Sequence, residues 1–251
     1  MIPAEELNAL ITAPSIELLW DMHTRHMGRY GFDRLIYGFT RYLTRHSLGD
    51  PDDFVLLSNH DSAYTDRFIG DGLYFNAPMV RWALENDGAR SWSLLQDMIE
   101  IGALTEDERK VVEFNRSMDV VAGYSISFKS VSTRAKGAIA LTARKGMTQA
   151  EVDEVWAEHG EDILLLNNLT HLRIMTLPYT GPARALTDRQ REVLEWVGDG
   201  KTVQDIALLM GLTPPTVEKH LRLARKALSV ETTAQAVLKA AFQNQIFVVE
   251  R

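Results

Sequence analysis

The 251-residue chain contains no cysteine, which excludes disulfides and thiolate metal sites and fits a cytoplasmic protein. It has no run of about 18 apolar residues, so no membrane span is expected. Its N-terminus lacks a basic segment ahead of an apolar core, so no secretory signal is expected. There is no glycine-rich loop of the kind that cradles phosphates. The triplet His60-Asp61-Ser62 has the residue types of a nucleophile site. Sequence neighbours rarely converge as nucleophile, base and orienter, and no Gly-x-Ser-x-Gly elbow surrounds the serine, so no catalytic residue is expected. Internal repeats and low-complexity tracts are also missing.

Positive charge is scarce overall, with 27 Lys/Arg against 34 Asp/Glu and a net charge of −7. The distribution is uneven. From Ala183 onward there are ten Lys/Arg and eight Asp/Glu, a balance of +2, and the remainder carries 17 against 26, or −9. An acidic body with a mildly basic end fits a protein whose nucleic-acid contact is confined to one face. With so little basicity, affinity should depend on salt and on pairing two copies.

The basic end has the clearest local grammar. Thr187 with Gln190 forms a capping-box pattern ahead of Val193, Leu194, Trp196 and Val197, one apolar side of a helix. Gly198 and Gly200 stop that helix. Thr202 caps a second, carrying Ile206, Ala207, Leu209 and Met210 inward. Gly211 supplies a left-handed turn, Thr213 is the next cap and Pro214 takes the first helical position. In the third helix Val217, Leu221, Ala224 and Leu228 recur at threes and fours, leaving Thr213, Thr216, Lys219, His220 and Arg222 on the other side. A fourth helix, from Thr232 or Thr233 through Phe242, covers the back. This is the helix-turn-helix pattern, whose second helix enters the major groove of double-stranded DNA.

Upstream, residues 3–30 read as helix broken at Pro14, with His23 and His26 as surface histidines lacking a third metal-ligating partner. Phe32–Phe39 and Phe54–Asn59 read as strands around a Pro51-Asp52-Asp53 turn. Asp61–Asp71 is helical, and another helix starts at Pro78. Thr105 and Glu108 box a helix through Phe114. Val120–Phe128 and Gly137–Thr142 are strands. Thr148 caps a long helix to about Met175, with Val152, Val155, Trp156, Ile163, Leu164 and Leu165 on its apolar side. The predicted class is α+β: an N-terminal α/β/α sandwich with an antiparallel sheet, then an all-α four-helix domain. The Pro/Gly-rich stretch sets the expected boundaries, with residues 1–176 sensing, 177–185 linking and 186–251 binding DNA.

With both halves in view, the chain resembles the LuxR-type quorum-sensing regulators. The C-terminal likeness rests on Leu186-Thr187-x-Arg189-x-x-Glu192-Val193-Leu194, then Gly200-Lys201-Thr202, Ile206-Ala207, Thr216-Val217 and Lys219-His220-Leu221. The N-terminal likeness is looser. Asn59, His60, Tyr64, Phe68, Ala77-Pro78 and Trp92 follow the spacing of the family's ligand-pocket motif. Tyr64 stands where the family usually has a Trp that donates to a lactone carbonyl, a role a phenol can fill. Ala77 replaces the Asp that accepts the ligand's amide N–H, and Ala140 stands near a position where some members carry a hydroxyl. A ligand amide left unpaired there would cost about 1–3 kcal/mol.

The resemblance implies a homodimer on a two-fold symmetric promoter site, with the N-terminal domain or the long helix from Thr148 supplying most of the interface. It implies a ligand pocket of His60, Tyr64, Phe68, Tyr74, Ala77, Pro78, Met79, Trp92, Ser125 and Ala140, although plain core packing also accounts for the aromatics. Trp82 and Phe75 are divided between the two readings. DNA contacts fall to Lys201, Thr202, Thr213, Thr216, Val217, Lys219, His220, Arg222 and Arg225. Of these, Lys201, Arg222 and Arg225 reach phosphates, and Val217 either contacts DNA or packs beneath it. No cofactor is expected. The implied signal is an acyl-homoserine lactone or a related small apolar molecule. The alternatives are a ligand-independent regulator with a vestigial pocket and, further off, a phosphorylated response regulator or an enzyme. A response regulator would need a five-fold strand–helix alternation that the N-terminal half does not show.

Overall fold

The computed structural model describes residues 2–45, 47–130, 132–179 and 185–247. The chain divides into two compact units, Met1–Asp50 with Phe54–Met175, and Pro51–Asp53 with Thr176–Arg251.

The first unit opens with α1 (Ala4–Thr12) and α2 (Ile16–Arg29), separated at Pro14, with Ser15 Oγ accepting from Leu18 N–H at 3.3 Å to cap α2. Next come β1 (Phe32–Thr40), β2 (Val55–Ser58), α3 (Ser62–Thr65), a π-helical turn (Asp66–Gly70) and a 3-10 turn (Leu73–Asn76). They are followed by α4 (Pro78–Glu85), β3 (Gly88–Ser91), α5 (Ser93–Glu100) and α6 (Glu106–Ser117). The unit closes with β4 (Gly123–Phe128), β5 (Lys136–Ala143) and the long α7 (Gln149–Ile174). Helix α6 starts at the expected capping box, Thr105 with Glu108, and α7 at the expected cap Thr148, where Glu151 completes a box.

The sheet has the order β2-β1-β5-β4-β3, and every neighbouring pair is antiparallel. It carries one strand more than the sequence suggests. Gly88-Ala89-Arg90-Ser91 has no apolar alternation and becomes an edge strand only by pairing with β4, Gly88 opposite Ser127 and Ser91 opposite Tyr124. The other difference is the start of β4. Residues 120–122 stay outside the strand, because the Val120 N–H closes a turn onto the Asn115 carbonyl at 2.8 Å.

Strand alternation separates two faces. Leu35, Tyr37, Phe39, Tyr124, Ile126 and Phe128 are buried, and several of them meet α7. Tyr124 stacks on Trp156 at 3.9 Å and Phe128 on His171 at 4.1 Å, while the Tyr37 hydroxyl lies 2.8 Å from His171 Nδ1. The opposite face presents Ile36, Gly38, Ser125, Ala138, Ala140 and Thr142 to a cavity.

Two expectations about helix faces are corrected. His23 and His26 are buried, not surface residues. His23 sits between Asn167 Oδ1 and Thr170 Oγ1 of α7, each at 3.0 Å, and His26 Nε2 lies 3.2 Å from Glu6 Oε2. The inner face of α7 is Val152, Ile163, Leu166, Asn167, Thr170 and Ile174, whereas Leu165 is exposed. No group of His, Asp or Glu suited to a metal ion occurs among the described residues. No helix of the described residues is long and apolar enough to cross a membrane.

The second unit is four helices, α8 (Asp188–Gly198), α9 (Val203–Met210), α10 (Pro214–Ala227) and α11 (Thr233–Phe242). Capping boxes at Thr187, Thr202 and Thr232 start three of them. Thr213 behaves differently from its expected capping role, because its hydroxyl pairs with that of Thr216 at 2.9 Å and caps no backbone N–H. Gly211 takes the left-handed conformation, φ 64°, between α9 and α10, as the tight junction requires. Val193, Leu194, Ile206, Val217, Leu221, Ala224, Leu228, Ala236 and Ala240 form the core. Leu209 was expected inside and is half exposed, because the α9 core stripe narrows to Ile206 and Ala207. Of the expected linker, residues 180–184 lie outside the described residues. Leu177 is buried and its carbonyl accepts from Asn244 Nδ2 at 3.0 Å.

Candidate functional site

A cavity of about 330 Å³ lies within the first unit, between the small-residue face of the sheet and the helical segments from α3 to α6. Its floor is set low by small side chains. Gly38 from β1, Ala138 and Ala140 from β5 and Ser125 from β4 leave volume that larger side chains would fill. All ten pocket residues expected from the sequence (His60, Tyr64, Phe68, Tyr74, Ala77, Pro78, Met79, Trp92, Ser125 and Ala140) line this one space. Phe75 does not line it and is 58% exposed, stacked on Tyr74 at 4.2 Å. Trp82 packs against the aromatic cluster without lining the cavity.

One wall is a stack of rings. Tyr64 lies nearly parallel to His60, Phe68 and Phe114, with centroids at 4.5, 5.2 and 5.4 Å. Its hydroxyl donates to Asn115 Oδ1 at 2.9 Å. The phenol was expected to donate to a ligand carbonyl; its proton is directed at α6 instead, and its oxygen is left with lone pairs. Trp92 closes the far side. Its Nε1–H donates to Ser125 Oγ at 3.0 Å, which leaves the serine proton free to point elsewhere. Ala77 is buried at the start of α4, with Pro78 in the first turn, and brings no polar atom of its own side chain. His60 Nε2 lies 3.5 Å from Thr142 Oγ1. Asn115, Thr142 and Ala138 also line the space and carried no sequence signal. Asn115 is 51 residues from its partner Tyr64 and simply follows Phe114 in a polar helix.

The residues expected to face DNA belong to the second unit. Lys201, Thr202, Thr213, Lys219 and Arg222 are exposed, and Thr216 and His220 are half-buried. Thr202 donates its hydroxyl to Asp205 Oδ2 at 2.7 Å, within its capping box. The Arg225 guanidinium binds Thr233 Oγ1 at 2.9 Å and ties α10 to α11. Val217 has no exposed surface. Of its two sequence readings, packing is the one realised, and a direct DNA contact is excluded because the residue belongs to the core.

Residues 15–174 match the autoinducer binding domain, and residues 183–228 match sigma-70 region 4. The chain belongs to the LuxR-type transcriptional regulators. The transcriptional activator AnoR of Acinetobacter nosocomialis is 25% identical over 239 residues, covering 93% of this chain and 94% of AnoR. Two solved structures share the fold at 16% identity and a TM-score of 0.53. SdiA of Escherichia coli covers 97% of both chains, and CepR2 of Burkholderia cenocepacia covers 68% of this chain and 92% of its own. LuxR-type proteins are transcription factors and not enzymes.

In this LuxR-type regulator three imidazoles are held neutral inside the sensing unit. Burial lowers His23, His60 and His171 to about 4, with the charges of Arg34 and Arg41 adding to the effect at His60 and His171. An unfolded chain binds these protons near pH 6.5, and the folded chain only near pH 4. Stability is therefore complete above about pH 6.5 and falls as pH drops toward about 4. Thermal melts at stepped pH should show this slope, and His23→Gln should make it shallower, leaving the part from His60 and His171. A melting temperature that is level across the window would refute the neutral-histidine assignment.

Proposed function

We propose that this regulator binds a two-fold symmetric promoter site as a homodimer and is controlled by a small, largely apolar ligand held in the N-terminal cavity. The single observation that carries the reading is the cavity itself. A space of about 330 Å³ with aromatic and small aliphatic walls is at the size of ligand sites. Thr213, Thr216, Lys219 and His220 are the candidates for base edges, and Lys201 and Arg222 for phosphates. Residues 1–176 would then be the sensor, 177–185 the connection and 186–251 the output.

CepR2 is an N-acylhomoserine-lactone-dependent LuxR-family factor. In the present chain Ala77 offers no carboxylate to such a ligand's amide. Octanoyl-homoserine lactone is therefore expected to raise the melting temperature of the full chain by less than about 2 °C, the size of a sub-kcal/mol effect at this length. A large shift would show that the amide finds another acceptor. Mass spectrometry of an organic extract of protein purified from its native host tests the wider reading. A stoichiometric apolar compound supports it, and a repeatedly empty extract together with promoter binding by the extracted protein would leave the vestigial-pocket alternative standing.

A further inference from the structure

The polar atoms at the ring-stack end of the cavity are arranged for one kind of head group. Tyr64 has already given its proton to Asn115 Oδ1. Its oxygen can therefore only accept from a ligand. Asn115 accepts that bond with its carbonyl, and its Nδ2 donates to no described residue. The two side chains line the same cavity. Together they present one acceptor and one donor side by side, joined through their own hydrogen bond. A lactone carbonyl can use the amide donor but leaves the phenol oxygen facing another lone pair. A hydroxyl satisfies both, donating to Tyr64 Oη and accepting from Asn115 Nδ2.

The surroundings narrow the class further. The parallel rings of His60, Tyr64 and Phe68 form a flat wall that suits a planar ring. Ala77 adds no charge, and Lys136 at the cavity's edge is already paired with Asp87 at 2.8 Å. Burying a charged head against these stacked rings would be costly. The floor of Gly38, Ala138 and Ala140 leaves room for an alkyl substituent.

We propose that Tyr64 and Asn115 form a hydroxyl-recognition pair and that the ligand's head is an uncharged phenol or ring-borne alcohol carrying an alkyl chain. This rests on the reading of the cavity as a ligand site. Asn115 is then the specificity-determining residue, acting together with Tyr64.

The test uses the full chain and three probes: 4-heptylphenol, its methyl ether 4-heptylanisole, and octanoyl-homoserine lactone. Binding is followed by calorimetry. The phenol should bind about tenfold or more tightly than the ether, because the ether cannot donate to Tyr64 Oη and leaves a buried acceptor unpaired. Asn115→Leu and Tyr64→Phe should each shrink that ratio toward unity while the ether still binds. Equal binding of phenol and ether overturns the head-group assignment and leaves the apolar cavity reading intact. A lactone that binds more tightly than the phenol also overturns it. Failure of all three probes to bind overturns both. The ratio is read first on the unaltered chain, so a variant that fails to fold does not shelter the proposal.

Discussion

Gly123→Ala is expected to cost roughly 3 kcal/mol or more, lowering the melting temperature of the sensing unit by about 10 °C. Gly123 opens β4, and a methyl group there would overlap the Leu141 carbonyl oxygen of the paired strand and come within 3.1 Å of the Trp92 ring. A backbone atom cannot swing away as a side-chain tip can. The glycine must move, and it has several ties. Its N–H donates to Gln149 Oε1 at 2.9 Å, and its carbonyl accepts from Gln149 Nε2 at 3.2 Å and from the Trp92 N–H at 3.1 Å. Gln149 is buried at the start of α7 and also reaches Ser91 and Asp153. One methyl group therefore strains a sheet pairing, a helix start and the cavity wall together. Thermal denaturation of the variant is the check, and a melting temperature within about 2 °C of the parent would refute the close packing assigned here.

Lys219→Ala is expected to abolish promoter binding at moderate salt while the chain keeps its fold. Lys219 is exposed on α10, and its side chain has no role in the core of the second unit. Loss of one specific contact costs about 1–3 kcal/mol, and in a symmetric dimer the loss enters twice. The combined penalty is a fall in affinity of roughly 30-fold to 10⁴-fold. Gel-shift titration at fixed salt, with circular dichroism of the same preparation, measures both parts. Binding within about threefold of the parent would remove Lys219 from the recognition surface.

Much of the architecture was legible from local patterns. Capping boxes at Thr105 and Thr187 and cap residues at Thr148 and Thr202 marked helix starts because they use only close neighbours. The cavity residues on α3 and α4 were legible only through the resemblance to the LuxR-type pocket motif, whose spacing they follow. What escaped depended on distant partners. β3 exists by pairing with β4 and has no pattern of its own. His23 looked like a surface residue because Asn167 and Thr170, which enclose it, lie more than 140 residues away. The direction of the Tyr64 hydroxyl was invisible for the same reason. Residue type shows that a phenol can donate, but only the fold shows that Asn115 receives the proton.

The small residues beneath the cavity have one more consequence. Gly38, Ala138, Ala140 and Ser125 come from three strands of a rigid antiparallel sheet. Depth there is fixed by the backbone and cannot be adjusted by rotamer changes, since these side chains have almost none. The floor therefore works as a ruler, with each added methyl group moving the zero mark upward. Diverging copies of this gene could change the length of guest they accept one carbon at a time, while the ring-stack end and the DNA-reading helix stay as they are.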